Sequence, residues 1–273
     1  MSLFSLKGKV IVITGASGLL GKEHIAAIAN QGGIPVLIDL NQEELNRQVL
    51  ELRKRFSTEF FGLSVDITNE EKVKRSCLEI VNKYGKIDGL INNASNNPKV
   101  ENSKSKSFSR IENFSMEDWK KDLDVGLKGS FLCIKYFGFE ISKNPLGGSI
   151  INISSDLGLI APDQSLYKID GLSDNHQPVK PVTYSVVKSG IIGLTRYVST
   201  YWADKGVRCN ALCPGGVENK QDVNFINKLK TKVPMNRMAK KNEYRGSIIY
   251  LLSDASSYVN GAIIVADGGR TVW

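Results

Sequence analysis

Short apolar runs rich in Val and Ile, each followed by a longer stretch with helical spacing, recur from Val10 to Val81. Such runs fit strands buried on both faces, and their alternation with helices fits βαβ units around a parallel sheet. The pattern predicts strands at about 9–14, 34–39, 60–65, 88–92, 148–153, 207–213 and 262–265. Helices are expected near 19–31, 41–56, 69–84, 115–142, 183–204 and 241–253. The fold class that follows is α/β, three layers deep, with a mostly parallel seven-stranded sheet. Two stretches break the alternation. Asn96 to Arg110 is rich in Ser, Asn and Lys, and Asp163 to Val182 is interrupted by Pro178 and Pro181, with Pro162 at its edge. Both read as loops. Without an internal repeat or a linker between two compact halves, they are expected to be insertions on one domain spanning 1–273.

Composition narrows the class. Of 273 residues, 41% are hydrophobic and 23% charged, which is ordinary for a globular chain with one large core. The formal charge of +8 raises the question of an anionic partner, but Lys and Arg are spread along the chain. A solvated basic surface is the expectation, with no nucleic-acid partner. Cys77, Cys133, Cys209 and Cys213 have neither metal-knuckle spacing nor the density of a secreted scaffold, so no metal site is expected and the thiols are taken as reduced. Met1 to Lys9 lacks a signal pattern and no apolar run is long enough to cross a bilayer, so a cytoplasmic protein without a membrane partner is expected.

Val10 to Ile13 runs directly into Thr14-Gly-Ala-Ser-Gly-Leu-Leu-Gly21 and then into a helical stretch. A glycine-rich turn between strand and helix suits a dinucleotide pyrophosphate, which sits on the unpaired N–H groups of the helix N-terminus. In a doubly wound Rossmann fold, Gly15 permits the tight turn, Gly18 lets backbone approach the phosphates and Gly21 lets helix pack on strand. Ser17, Leu19 and Leu20 complete that turn. The second strand ends in Asp39, where a carboxylate meets the adenosine ribose and repels a 2′-phosphate. Leu40 and Asn41 follow, with no arginine to accept such a phosphate, so NAD is expected rather than NADP. Asp66, with Ile67 beside it, can contact adenine or can serve as a turn residue.

Tyr184 and Lys188 are four residues apart on an expected helix and so share a face. A free phenol has a pKa of about 10, so proton exchange near neutrality needs a shift of roughly three units, or about 4 kcal/mol. An ammonium close by would supply part of it. The pair alone carries little weight; its position downstream of Ser154-Ser155 and of a dinucleotide turn gives it meaning.

With these residues in place, the chain resembles the single-domain short-chain dehydrogenase/reductase family over nearly its whole length. The glycine turn, Asp39, Asp66, Asn92-Asn-Ala94, Ser154-Ser155, Tyr184 to Lys188, Pro214-Gly215 and Asp267-Gly-Gly269 come in the family's order. The resemblance implies reversible hydride transfer between a nicotinamide and a secondary alcohol or ketone. It makes Tyr184 the general acid/base, Lys188 its partner and ligand of the nicotinamide ribose, and Ser155 the group that orients the substrate oxygen. Asn92 and Ala94 would border the cofactor, as would Pro214 and Gly215, and Val217 would approach the carboxamide end. It also implies a homodimer or homotetramer, with the helices near 115–142 and 183–204 as assembly surfaces.

Several positions depart from the pattern. Leu19 stands where the middle glycine is usual, as in the sugar-nucleotide branch. Asn219 takes the place of a Thr. Gly126 takes the place of the family's fourth catalytic residue, an Asn, and can keep that role only through its backbone carbonyl. Ser155 and Tyr184 are 29 positions apart, longer than the family's usual spacer. The extra residues, among them Asp163, Gln164, Lys168, Asp170, Asp174, Asn175, His176 and Lys180, are polar, with few large apolar side chains besides Tyr167 and Leu172. They form either a polar roof suited to hydroxyl-rich ligands or a solvated loop or subunit contact. The segment 219–238 falls at the family's substrate lid, and Lys220, Lys228, Lys230, Lys232 and Arg237 there either meet an anion or line a solvated helix. The expected activity is NAD(H)-dependent oxidoreduction of a polar, sugar-derived small molecule, of the kind seen in bacterial surface-sugar and flagellin-glycan pathways. The alternatives are a non-catalytic NAD-binding module and a nucleotide-sugar epimerase or dehydratase. Against the latter, only about sixty residues follow Pro214.

Overall fold

The computed structural model describes residues 2–96 and 109–273; the expected insertion at 96–110 therefore lies almost wholly outside the described residues. Seven strands, β1 (Val10–Thr14), β2 (Ile34–Asp39), β3 (Phe61–Ser64), β4 (Gly89–Asn92), β5 (Gly148–Ile153), β6 (Val207–Pro214) and β7 (Ile263–Ala266), form one sheet. The order is β3-β2-β1-β4-β5-β6-β7, and every pair is parallel. Chain order reverses between β1 and β4, the switch point beside which ligands of open α/β sheets bind.

Alternation along β1 shows how the sequence builds two cores. Ile11 and Ile13 face one layer, packed with Ile25 and Ile28 of α1 (Leu19–Asn30), Leu45 and Val49 of α2 (Gln42–Arg55), and Ile248 and Leu251. Val10 and Val12 face the other, packed with Val73 and Ile80 of α3 (Glu70–Tyr84), Phe137, and Val198. A two-residue period on a strand sends neighbours to opposite faces, so a continuous apolar run serves both layers. Asn41 and Asn69 start α2 and α3 by accepting the N–H groups of Glu44 and Lys72.

The stretch expected as one helix at 115–142 is instead α4 (Met116–Leu123), α5 (Gly129–Cys133) and α6 (Phe139–Ile141), joined by π-helical turns at Asp124–Lys128 and Ile134–Gly138. Side-chain periodicity does not register a π turn. The first coincides with Gly126, where a Cβ would stand 2.3 Å from Val187 Cγ1. Close approach to the next long helix, α7 (Val182–Tyr201), thus depends on a missing side chain. Two further helices follow, α8 (Val223–Lys230) and α9 (Arg245–Leu252), the latter starting later than the expected 241. Residues 163–181 hold two short 3₁₀ turns and no longer helix or strand, and α7 begins at Val182. Among the described residues, no helix is long and apolar enough to cross a membrane.

Candidate active site

The carboxyl ends of the strands open onto a cleft of ≈ 780 Å³ that runs across the switch point. At one end lies the glycine turn after β1. Gly15 has φ +63°, and a Cβ on Gly21 would fall 2.2 Å from Gly15 O, so both positions require glycine for the turn and for α1 to begin where it does. Gly15, Ser17, Gly18, Leu19 and Leu20 line the cleft. Asp39, at the end of β2, takes the Ser17 N–H on Oδ2 at 2.8 Å and the Leu40 N–H on Oδ1 at 2.8 Å. Asp66 and Ile67 line the wall next to it, and Asp66 also closes a local turn by accepting from Thr68. The cradle fits a dinucleotide: a glycine turn, a helix N-terminus for phosphate and a carboxylate where a ribose would lie.

Ala94, Pro214, Gly215, Val217 and Asn219 border the middle of the cleft, while Asn92 does not. Asn92 is buried beneath it, where its Nδ2 donates to Asn152 Oδ1 at 2.8 Å, and Asn152 Nδ2 in turn donates to Thr195 Oγ1 at 2.9 Å. It joins β4, β5 and α7 instead of reaching the cleft.

At the other end Ser154, Ser155, Tyr184 and Lys188 converge, although 29 positions separate Ser155 from Tyr184. β5 delivers the serines. Ser154 Oγ donates to Lys188 O at 2.7 Å, which fastens the strand end to α7. Ser155 is within hydrogen-bond reach of the Tyr184 phenol. Tyr184 sits in the first turn of α7, and Lys188, one turn on, is buried and donates from Nζ to Ile153 O at 2.9 Å. Burial lowers the Lys188 amine to about 8, helped by the like charge of Lys180. Burial also pushes the Tyr184 phenol above the ordinary tyrosine range; the Ser155 hydrogen bond opposes this and the Asp156 charge adds to it. A downward shift was the sequence expectation. That expectation rested on the Lys188 ammonium together with an oxidised nicotinamide, and burial of both side chains works against it.

Gly126 O, the carbonyl left to stand in for an Asn, accepts from Ser130 Oγ at 2.8 Å. An Asn side chain at 126 would run into Val187.

Three features of the cleft are not in the sequence pattern. Asp156 and Arg270 line it as a buried ion pair, 2.7 Å apart. Lys180 places its ammonium 3.9 Å from the centroid of the Tyr184 ring. The roof is less polar than expected: Leu166 packs on Leu229 and Met238, and the Tyr167 and Phe225 rings lie 5.4 Å apart. Apolar residues scattered between this loop and the segment 219–238 show no periodicity, so only the fold brings them together. Most of the cations of the segment 219–238 are also spoken for. Lys228 donates to Lys168 O, Lys232 pairs with Asp163 and Arg237 with Glu243; of the five, only Lys220 lines the cleft. His176, exposed, binds Ser173. No group of three or more His, Cys, Asp or Glu among the described residues could hold a metal.

This arrangement has known counterparts. Residues 9–168 match the family described as short chain dehydrogenase, and residues 172–271 match the one described as Enoyl-(Acyl carrier protein) reductase. The chain belongs to the short-chain dehydrogenase/reductase family and is an oxidoreductase of alcohol and ketone groups. It is similar to an NADP-dependent mannitol dehydrogenase of Hypocrea jecorina, 31% identical over 99% of this chain and 95% of that one. It is similar, too, to the post-translational flagellin modification protein A of Campylobacter coli, 30% identical over 97% and 98% of the two chains. Among solved structures, a gluconate 5-dehydrogenase of Burkholderia cenocepacia, in complex with NADP and tartrate, superposes with a TM-score of 0.84 at 25% identity, covering 99% of this chain and 98% of that one.

Proposed function

We propose that the protein oxidises a secondary alcohol, or reduces the matching ketone, on a hydroxyl-rich small molecule such as a polyol or sugar acid, with NAD(H) as cofactor. The observation that carries this reading is the meeting of Ser155, Tyr184 and Lys188 at one end of a cleft whose other end holds the glycine turn and Asp39. When bound, the nicotinamide supplies the hydride acceptor or donor. The chain's own residues do the rest. Ser155 hydrogen-bonds the substrate oxygen, Tyr184 takes or gives its proton, and Lys188 holds the nicotinamide ribose and favours the phenolate. The mannitol and gluconate activities of the two named relatives support a polyhydroxylated substrate. The protein is further read as cytoplasmic and homo-oligomeric, with 219–238 as the substrate lid.

NAD(H) is preferred because Asp39 stands where a 2′-phosphate would come, and two like charges a few ångströms apart repel by several kcal/mol at intermediate dielectric. The named relatives with NADP make this choice a sharp test. Calorimetry should show NADH binding at least about tenfold tighter than NADPH, roughly 1.4 kcal/mol, and Asp39→Asn should narrow the gap; tighter NADPH binding refutes the choice. For the reaction, purified protein with NAD and a panel of polyols, aldonates and nucleotide sugars should turn over at least one polyhydroxylated compound. Tyr184→Phe should lower that kcat by about 100-fold or more, the usual worth of a general acid/base. Turnover unchanged by the substitution would sink the mechanism.

A further inference from the structure

Asp156 follows Ser155 in the chain, and the family resemblance gives it no part. Its carboxylate is buried, and both oxygens are engaged. Oδ1 accepts from the Ser155 hydroxyl at 2.7 Å and from the Leu157 N–H at 2.8 Å, and Oδ2 accepts from Arg270 Nη1 at 2.7 Å. Arg270 is buried as well and comes from near the other end of the chain, within a turn that Asp267 closes by accepting from the Gly269 and Thr271 N–H groups. A continuous line results: Tyr184 phenol, Ser155 hydroxyl, Asp156 carboxylate, Arg270 guanidinium. Buried ion pairs add little stability over apolar packing of the same shape, so one placed against a reactive serine and tyrosine calls for a chemical account.

A serine hydroxyl has one proton to give. Here Ser155 gives it to Asp156, and its oxygen receives from Leu157 N–H at 3.2 Å, which leaves it an acceptor toward Tyr184. A phenolate at Tyr184 would need that same proton to point the other way. Asp156 and Tyr184 therefore compete for it, and Arg270 weakens the competitor by neutralising it. We propose that Asp156 and Arg270 are positioning residues that decide which way the Ser155 proton faces, and thereby set how readily Tyr184 gives up its own. The proposal rests on the reading of Tyr184 as the acid/base above.

Other titratable groups face the same place. Lys188 comes from the next turn of α7, Lys180 from the insertion, Cys213 from β6 and Tyr244 from the start of α9, while Asp122 of α4 is held by Thr183. All of these stay in place when only the pair is changed, so differences among pair variants report the pair.

The test uses the full chain and needs no substrate. Ionisation of Tyr184 is read as the near-ultraviolet tyrosinate signal lost in Y184F, titrated in the parent, D156N, R270M and D156N/R270M. D156N keeps an acceptor for Ser155 but removes the negative charge, and is expected to lower the ionisation by about one pH unit. R270M leaves Asp156 unbalanced and is expected to raise it, or to push it past alkaline unfolding. The double variant, in which both charges are gone, is expected to lie nearer the parent than either single one. Should R270M fail to fold, D156N and the double variant still fix the sign. Shifts of like sign in D156N and R270M, or no lowering in D156N, overturn the proposal. Retained turnover in Y184F would overturn the catalytic reading instead, and would leave these ionisation shifts as measured.

Discussion

His24 shows how much a single buried side chain can set. It lies in α1, three residues after Gly21, and is fully buried, and burial lowers its imidazole from 6.5 to about 4. The folded state therefore holds it neutral while the unfolded chain protonates it near 6.5. Its contribution is fully present above that pH and is lost as pH falls from 6.5 toward 4, by up to roughly 3 kcal/mol. Denaturant titrations at pH 7 and pH 4.5 should show a steeper loss of stability for the parent than for His24→Gln. Residues differ in how far their local sequence reveals them. Asp39 was legible because a strand end followed by Leu40 and Asn41 places it without any fold. Asp156 and Arg270 had no signal, since the partner that gives each its meaning is 114 positions away.

At the level of elements, strands and most helices followed from apolar spacing, because parallel strands buried on both faces leave continuous Val and Ile runs. The π turns at Asp124–Lys128 and Ile134–Gly138 did not, since one extra residue in a turn leaves an apolar stripe almost intact. Nor did the pairing of helices. Glu23 of α1, buried, binds the Arg245 guanidinium at the start of α9 through Nε at 2.8 Å, with Lys241 3.8 Å away. Arg245→Ala would leave that carboxylate with only the distant lysine and is expected to destabilise the fold by about 2 kcal/mol, less than a fully buried pair because Arg245 is partly exposed. Chemical denaturation of the variant checks this, and Glu23→Gln in the same background should recover part of the loss.

Across the whole molecule, residues 163–182 and the segment 219–238 pack against each other. Leu166 and Tyr167 pack on α8 and Met238, and Lys228 and Lys232 fasten the second segment to Lys168 and Asp163 of the first. The sequence placed both segments over the site but not against each other, because nothing local records a contact between residues about sixty positions apart. Tyr167→Ser and Phe225→Ser are each expected to raise KM for the substrate severalfold while leaving NADH affinity within about twofold, since Asp39 and the glycine turn lie at the other end of the cleft. An aromatic pair of this kind is worth about 1 kcal/mol beyond the area it buries, so a double-mutant cycle on KM should show the two losses failing to add. Equal damage to NADH binding would mean that the two segments support the whole cleft.

That seam also bears on descent. The Tyr167 and Phe225 rings meet 5.4 Å apart across the seam between residues 163–182 and α8, so a change of size in one alters the contact available to the other. Among close relatives of this chain, positions 167 and 225 should therefore change together, and a lineage that loses the 163–182 insertion should carry a more polar face on α8.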